Sequence, residues 1–261
     1  MNGSAWYRIE RDGDTLRVQS NGDRETLGRF LQLELNAIDI VAEIVAAGPE
    51  LEPYMEFTRG LRVLRYADPL ECIFTFLCTA NNHVSRISTM VRHLASYGPS
   101  IDDHPVHRSF PGLERLAELS ETELRVAGFG YRAATLPVVA AHLLDRGGQE
   151  YVEGLKGVSL ETFRSELVSL PSIGPKLADC MALFGFGFRE AVPVDTHIWK
   201  AATRLYFPHH AGSALTPQKY EEFATFFRSR FGAHAGWAHQ ALFYDSLLNW
   251  RSRKKCPNGY A

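Results

Sequence analysis

The sequence predicts a mainly α-helical protein with a small antiparallel β element at its N-terminus. Two observations support this: apolar residues alternate only near the N-terminus, and helical periodicity with clear caps begins after Asn36. The 261 residues are 45% apolar and 22% charged, a composition typical of folded globular proteins. No apolar run approaches the length of a membrane span, and no secretory signal is expected.

The β element is predicted from alternation on both sides of a turn signal. Asp12-Gly13 favours a tight hairpin turn, because glycine tolerates the positive φ that such turns require. Apolar residues alternate around it at Tyr7, Ile9, Leu16 and Val18. A short apolar segment over 30–35 can add a further strand.

The other elements are predicted as helices with identifiable ends. Asp68-Pro69-Leu70-Glu71 combines an N-cap, a proline in the first turn and a capping-box glutamate, and an almost wholly apolar helix follows through Cys78. Further helices are expected over 38–45, 84–97, 132–144 and 217–232, with a capping box at Ser120 and Glu123 and turns over 81–83 and 128–131.

Charge, cysteines and histidines exclude several kinds of site. The formal net charge of −2 gives no overall sign of a nucleic-acid partner, so any such binding must use a local basic surface. The cysteines at 72, 78, 180 and 256 form no C-x-x-C pair, which favours free thiols over an iron–sulfur cluster. The histidine pairs 104/107, 209/210 and 234/239 have no cysteine or carboxylate at metal-ligand spacing, so no catalytic metal is predicted.

The segment Leu170–Cys180, LPSIGPKLADC, predicts two helices joined by a tight turn. Gly174 is expected to let the backbone turn sharply, and Pro175 suits the first position of the next helix. Free N–H groups at a helix start can bind a phosphate oxygen, directly or through a cation. The pattern is a helix–hairpin–helix, although an ordinary helical connection fits these residues equally well.

Two ionisable residues here suggest catalysis. Lys176 lies one residue inside the second helix, where the helix dipole disfavours a charged amine and so favours a neutral nucleophile. Asp195, within VPVDTH, is expected to cap a helix, where backbone donors favour the ionised carboxylate. A fixed carboxylate can stabilise positive charge on a sugar ring. Taken singly, a solvated lysine and a simple cap explain each residue as well.

Together, these segments resemble the helix–hairpin–helix DNA glycosylase superfamily and are most similar to its 8-oxoguanine DNA glycosylase branch. PSIGPKLADC and AVPVDTHIWKAATRLY match the family's hairpin, its catalytic lysine and its essential aspartate. The resemblance implies that Lys176 is the nucleophile and Asp195 the stabilising carboxylate. It also implies that Ile173, Gly174 and His197 clamp the DNA backbone. The similarity covers about residues 59–250.

The resemblance extends upstream to residues implied to contact the orphaned base. Asn81 and Arg86, within an N-N-x-x-x-R turn, are implied to fill the gap left by the extruded base and to read the orphaned cytosine. Tyr131 and Arg132, within GFGYRA, are implied to wedge beside that cytosine and to contact it. On the residues alone, a turn at Asn81 and a core position for Tyr131 fit as well.

Near the C-terminus, GWAHQALF resembles the family's G-W-A-Q-A-x-L-F segment. The resemblance places Phe243, His239, Gln240 and Cys180 in the pocket for the damaged base, with Phe243 stacking on that base. His239 stands where the family has its base-reading glutamine, and Ser172 stands where the hairpin has its first glycine. The N-terminal part is shorter than in the larger family members.

The resemblance implies two helical subdomains flanking an active-site cleft, with residues 1–58 as the β element and linking helix and 59–261 as the glycosylase domain. It implies a monomeric DNA glycosylase and AP lyase acting on double-stranded DNA with 8-oxoguanine opposite cytosine. No cofactor and no membrane partner are expected, although the hairpin allows a structural cation that bridges to a phosphate. The expected location is the bacterial cytoplasm, at the nucleoid, or otherwise the nucleus.

Three alternatives stay open. The same scaffold can act on alkylated purines, which His239 and the short N-terminus keep open. A pyrimidine-specific relative with an iron–sulfur cluster is disfavoured by the missing cysteines. A non-catalytic DNA-binding protein would use the hairpin alone, and would need none of Lys176, Asp195 and Phe243.

Overall fold

The computed structural model describes residues 5–13, 15–58, 60–101 and 108–255. His104, His107 and Cys256, named above as metal or thiol candidates, lie outside these ranges. The described chain is mostly helical, with an antiparallel pair of strands near its N-terminus, so the predicted fold class is confirmed. Within these ranges, no helix is both long and apolar enough to cross a membrane.

The N-terminal hairpin forms as predicted. Strand β1 (Tyr7–Asp12) pairs with β2 (Thr15–Ser20) in antiparallel register from one end to the other. Gly13 has a φ of 61°, the left-handed backbone that the Asp-Gly turn signal requires. The hairpin predicted from the turn residues and the apolar alternation is therefore confirmed.

The strand expected over 30–35 is wrong. Helix α1 (Arg24–Leu31) occupies its first part, because the Asp23 carboxylate caps that helix by accepting a hydrogen bond from the Thr26 N–H at 2.6 Å. The helix ends where Gln32 adopts left-handed backbone with a φ of 51°. A local cap outweighed a short apolar run.

The remaining helices follow the caps and breaks in the sequence. Their bounds are α2 Ala37–Ala47, α3 Glu52–Phe57, α4 Pro69–Thr79, α5 Val84–Ala95, α6 Leu113–Ala117, α7 Glu121–Val126, α8 Arg132–Asp145, α9 Gly148–Gly154, α10 Leu160–Val168, α11 Pro175–Met181, α12 Thr196–Leu205, α13 Pro217–Phe231 and α14 Ala235–Lys255. A π-helical turn, Ala182–Phe186, continues α11. The predicted caps at Asp68 and Ser120 are confirmed, since each side chain accepts a backbone hydrogen bond. The Thr216 side chain caps α13 in the same way.

Contacts divide the chain into two compact units. Unit 1 contains Met1–Leu33 and Leu64–Gly187, and unit 2 contains Glu34–Val63 and Phe188–Ala261. The boundary after residue 58 was inferred from resemblance and stays a prediction. Each unit is discontinuous in sequence, because the segment over 34–63 belongs with the C-terminal part of the chain.

Each unit has its own apolar core. In unit 1, α4 is almost fully buried and packs against α5, α8, α9 and α11, with Ile73 and Phe74 at 0% exposure. In unit 2, α12 packs against α14, and an aromatic cluster surrounds Phe227, whose ring centroid lies 4.4 Å from that of Phe223. These cores hold the helix ends that carry the predicted site residues.

Candidate active site

The predicted helix–hairpin–helix is present in unit 1 as α10, a short turn and α11. Ile173 in the turn is 4% exposed, so the turn is anchored in the core. The sharp bend does not lie at Gly174, whose backbone is extended at φ −96° and ψ 175°. Ser172 has the left-handed conformation instead, with a φ of 63°. The role expected for Gly174 is therefore wrong in conformational terms, because the residue at the family's first-glycine position makes the bend.

Open space around Gly174 gives it a different role. A Cβ added at this glycine would meet no atom within 4 Å, and the backbone suits any L-residue. Neither internal packing nor conformation in this chain requires a glycine here. A bare backbone at the start of α11 leaves room for an external group to approach the helix N-terminus.

An ion pair that sequence reasoning missed ties the two hairpin helices together. The Arg164 Nε on α10 lies 3.0 Å from the Asp179 Oδ1 on α11, and the Asp179 side chain is fully buried. A buried carboxylate is tolerated only when a charge or hydrogen-bond partner compensates its lost hydration. The pair therefore fixes α11 against α10, and with it the position of Lys176.

Lys176 is the second residue of α11 and is half-buried. Cys180 follows four residues later on the same helix face and is 4% exposed.

Burial raises the pKa of the Cys72 thiol on α4 well above its ordinary value, and the nearby Cys180 thiol raises it further. Cys72, Cys78 and Cys180 carry free thiols. Cys72 therefore stays protonated at neutral pH, when a thiol is a poor nucleophile.

Asp195 forms the predicted N-cap of α12 in unit 2. Its Oδ1 accepts hydrogen bonds from the His197 N–H at 2.9 Å and the Ile198 N–H at 2.8 Å. The preceding V-P-V segment is buried and held by one phenol that the sequence did not reveal. The Tyr220 hydroxyl donates to the Val192 carbonyl, and it lies 3.4 Å from the Val194 nitrogen. The carboxylate is thus fixed from both sides.

The four residues predicted to face the orphaned base lie together in unit 1. Asn81 is exposed at a φ of 48°, two residues after the end of α4. Arg86 Nη2 donates to the Gly128 carbonyl at 2.7 Å, and the Tyr131 hydroxyl donates to the Ala80 carbonyl at 3.1 Å. The turn before α5 and the turn before α8 are therefore joined by side-chain hydrogen bonds.

Arg132 differs from its three neighbours because it is 3% exposed. Its guanidinium donates to the Ala80 carbonyl and lies 4.4 Å from the centroid of the Tyr131 ring. This cation–π contact supports the ring of Tyr131, which is itself 56% exposed. In the structure, Arg132 holds the aromatic side chain in place.

The predicted base pocket residues of unit 2 lie on α14. His239 is 2% exposed, and its ring is nearly parallel to the half-buried Phe243 ring, with an interplanar angle of 10° and centroids 6.4 Å apart. The Gln240 Nε2 lies 3.1 Å from the His239 Nδ1. The imidazole and the amide are therefore coupled, and the half-buried Gln240 amide is the more accessible of the two.

The structure thus collects the predicted residues into local groups. In unit 1, the hairpin group and the orphaned-base group meet at α8, since the Ser172 Oγ lies 3.5 Å from the Thr135 Oγ1. Unit 2 contains the Asp195 cap and the α14 ring pair on packed helices. One group with metal-ligand chemistry, His209, His210 and Glu222, lies outside these groups.

Comparison with known proteins identifies the family. Residues 74–225 match the family described as HhH-GPD superfamily base excision DNA repair protein. The N-glycosylase/DNA lyase OGG1 of Arabidopsis thaliana is 41% identical over 223 residues, which are 84% of this chain and 60% of that protein. This chain therefore spans three fifths of the length of that curated relative.

Two solved structures share the fold. An 8-oxoguanine glycosylase/lyase from Clostridium acetobutylicum, solved with double-stranded DNA containing cytosine opposite 8-oxoguanine, has a TM-score of 0.80 and 25% identity, covering 93% of this chain and 82% of that one. The 3-methyladenine DNA glycosylase from Archaeoglobus fulgidus has a TM-score of 0.72 and 19% identity, covering 94% and 88%. Since the family match spans more than half of the 261 residues and includes both the hairpin and the Asp195 cap, the chain belongs to the HhH-GPD superfamily of base excision DNA repair proteins.

Proposed function

We propose that this protein is a base excision repair DNA glycosylase with AP lyase activity, which removes 8-oxoguanine opposite cytosine from double-stranded DNA. The observation that carries the proposal is the place of Lys176 at the start of the second hairpin helix. This lysine lies in a chain 41% identical to an N-glycosylase/DNA lyase. A hairpin that only bound DNA would not need an amine there.

The proposed chemistry uses one amine and one carboxylate. The Nζ of Lys176 bonds to C1′ while the C1′–N9 bond breaks, and the bonding electrons leave with the purine, which takes up the proton that the attacking nitrogen releases. Asp195, held by two backbone N–H groups, stabilises the positive charge that develops on the sugar. Opening of the sugar ring leaves an imine on Lys176. Loss of a C2′ proton then expels the 3′ phosphate and nicks the strand.

The groups around the hairpin support a grip on an extruded nucleotide. We propose that the backbone at Ile173 and Gly174, with His197, holds the DNA phosphates, since the open space at Gly174 leaves access to the helix start. A structural cation between the hairpin and a phosphate stays a proposal. Exposed Asn81 and Tyr131 would fill the gap in the base stack.

Recognition of the two bases follows from the same groups. Arg86 would read the orphaned cytosine, and Arg132, buried against Tyr131, would act first by holding that ring. In unit 2, Phe243, His239 and Gln240 would contact the damaged base, and the resemblance assigns Cys180 of unit 1 to the same task. The proposed partner is therefore a damaged DNA duplex. The protein would act as a monomer in the bacterial cytoplasm, or otherwise in the nucleus.

Trapping of the imine tests the proposal directly. The protein is mixed with a duplex containing 8-oxoguanine opposite cytosine, and borohydride is added to reduce any imine to a stable amine. A covalent protein–DNA adduct should form with the wild type and be absent in Lys176→Gln. The matched control is Lys200→Gln, another lysine replaced by the same residue on exposed surface, which should still form the adduct. An adduct of undiminished yield in Lys176→Gln would assign the nucleophile elsewhere.

A second specificity, for alkylated purines, is favoured by one observation. His239 replaces the family's base-reading glutamine and lies against the Phe243 ring. A panel of duplexes with 8-oxoguanine or 3-methyladenine separates the two specificities, and His239→Gln should shift activity toward 8-oxoguanine if the histidine sets the choice. Faster release of 3-methyladenine than of 8-oxoguanine by the wild type would replace the main proposal.

A further inference from the structure

Two histidines and a glutamate form a cluster in unit 2 that the proposed repair chemistry does not use. His209 and His210 end the 3₁₀ turn Pro208–His210 just after α12, and Glu222 lies in the first half of α13. One ligand atom from each residue lies within 4.8 Å of the other two. Sequence spacing found no carboxylate near this histidine pair. The turn and α13 bring one there, and that part of the prediction is corrected.

We propose that His209, His210 and Glu222 bind one divalent transition-metal ion, with Zn²⁺ as the best match. Zinc sites in proteins use imidazole nitrogen and carboxylate oxygen at about 2.0–2.2 Å, so two ligands of a tetrahedral site lie about 3.3 Å apart. The His210 Nε2 and the Glu222 Oε2 are already 3.2 Å apart. His209 supplies the third ligand from an exposed ring.

Packing holds the His210 ring in place for this role. The ring lies between the Trp199 ring, at 5.7 Å between centroids, and the Phe207 ring, at 6.2 Å and 26°. The His210 N–H donates to the Phe207 carbonyl, and the Ser213 N–H donates to the His210 carbonyl. A ligand that is already oriented loses little conformational freedom when the ion binds.

The other two proposed ligands are open to solvent, as binding of an ion from solution requires. His209 and Glu222 are exposed, so an ion can enter from solvent and keep a water as its fourth ligand. Two imidazoles with one carboxylate form a donor set that suits Zn²⁺ and also accepts Co²⁺ or Ni²⁺. A simple ion pair between His210 and Glu222 would use only two of the three groups.

The cluster is separate from the proposed catalytic carboxylate. Asp195 caps the first residue of α12, whereas the histidines follow its last turn, and a ten-residue helix is about 15 Å long. The ion would therefore stabilise the connection between α12 and α13 without taking part in base removal. Binding to the folded state alone should raise the Tm by roughly 5 °C at one hundred times Kd.

The test uses the full chain without a histidine tag, in a Cys256→Ser background that removes a thiol outside the described residues. After treatment with EDTA, Zn²⁺ alone is titrated by calorimetry, and Co²⁺ absorption in the visible range reports the coordination geometry. We expect one ion per chain, with affinity at least about tenfold weaker in His209→Ala and in Glu222→Gln. Both substituted side chains are exposed, so both variants should fold.

The matched control is His234→Ala. His234 is also paired with a glutamate in unit 2, since its Nε2 lies 2.8 Å from the Glu43 Oε2, but it is not part of the three-ligand cluster. Its replacement should leave zinc affinity unchanged. The proposal would be overturned if no zinc bound at a Zn²⁺ concentration about 100 times that of the protein. It would also be overturned if the wild type, His209→Ala and Glu222→Gln bound zinc with equal affinity. Base-excision activity should be the same in Glu222→Gln as in the wild type, so the outcome is independent of the proposed function.

Discussion

Arg164 and Asp179 form an ion pair inside the hairpin, with 3.0 Å between the Arg164 Nε and the Asp179 Oδ1. Asp179 is fully buried and stands three residues after Lys176, so the pair sets the position of the helix turn that carries the amine. The placement of Lys176, the proposed nucleophile, thus depends on a fully buried carboxylate.

Breaking this pair should cost far more stability than breaking a surface pair. Asp179→Ala leaves the Arg164 guanidinium without its carboxylate, and we expect a loss of about 3–5 kcal/mol in the free energy of unfolding. Glu121→Ala, which breaks the exposed pair between Arg125 and Glu121, should lose less than about 0.5 kcal/mol. Urea unfolding measures both. A loss below about 1 kcal/mol in Asp179→Ala would contradict the importance given to the pair.

Substitution can separate the observed cap at Asp195 from the proposed catalytic role of its carboxylate. Asparagine is as good an N-cap as aspartate, so Asp195→Asn should unfold at nearly the same urea concentration as the wild type. Without a negative charge at the sugar, its rate of base release should fall by about 100-fold or more. Asp195→Ala should lose activity and also about 1 kcal/mol of stability. Full activity in Asp195→Asn would exclude a catalytic role for the carboxylate charge, and the residue would then serve only as a helix cap.

Ser172 should be a site where glycine stabilises the fold. Left-handed backbone costs a non-glycine residue about 1–2 kcal/mol, and the greater chain entropy of glycine offsets only part of the gain. We therefore expect Ser172→Gly to raise the free energy of unfolding by about 0.5–1 kcal/mol. The comparison is Ser169→Gly, at a residue of the same type with a φ of −70°, which should lower it instead.

Replacing Gly174 should increase stability but weaken DNA binding. Alanine fits its extended backbone and open surroundings, so Gly174→Ala should raise the free energy of unfolding by about 0.4–1 kcal/mol. The added methyl group would obstruct a phosphate at the helix start, and affinity for duplex DNA should fall about tenfold. Fluorescence anisotropy measures the affinity. Unchanged DNA binding in this variant would exclude the contact.

Glu71 should make stability depend on pH in the weakly acidic range. Burial raises the pKa of its carboxyl from 4.5 to about 7, and the nearby Asp68 carboxylate adds to this. Below pH 4.5 the carboxyl is protonated in both states. Between pH 4.5 and 7 it ionises only in the unfolded state, so stability falls as pH rises. Above pH 7 the penalty is constant at roughly 3 kcal/mol.

Glu71→Gln should remove this dependence. Its free energy of unfolding should exceed that of the wild type at pH 7.5, and the two should converge near pH 4. Glu56→Gln, at an exposed position, should follow the wild type throughout. Parallel curves for the wild type and Glu71→Gln across this range would show that the Glu71 carboxyl does not titrate in this way.

The sequence predicted those parts of the site that depend on neighbouring residues. The Asp195 cap needs only the N–H groups two and three residues ahead, and the Asp12-Gly13 turn needs only its own backbone. The same local rule misled over 30–35, where the cap at Asp23 was stronger than a run of apolar residues.

The parts that the sequence did not predict depend on packing between helices. Asp179 is an ordinary polar residue until α10 brings Arg164 beside it, and Tyr220 holds the V-P-V segment only because α13 folds back onto it. At the hairpin turn, the motif attributed the bend to Gly174. Only the backbone angles show that Ser172 makes it.

The discontinuity of the second unit affects the order in which the chain can be synthesised and folded. The segment over 34–63 leaves the ribosome early, but α2 and α3 contact α13 and α14, which are translated after residue 188. At about 5–20 residues per second, the nascent helices wait on the order of ten seconds for their partners. During that interval, the side chains of Ile40 and Ile44, buried in the native state, are exposed to chaperones and to aggregation, so the yield of folded protein should depend on translation speed.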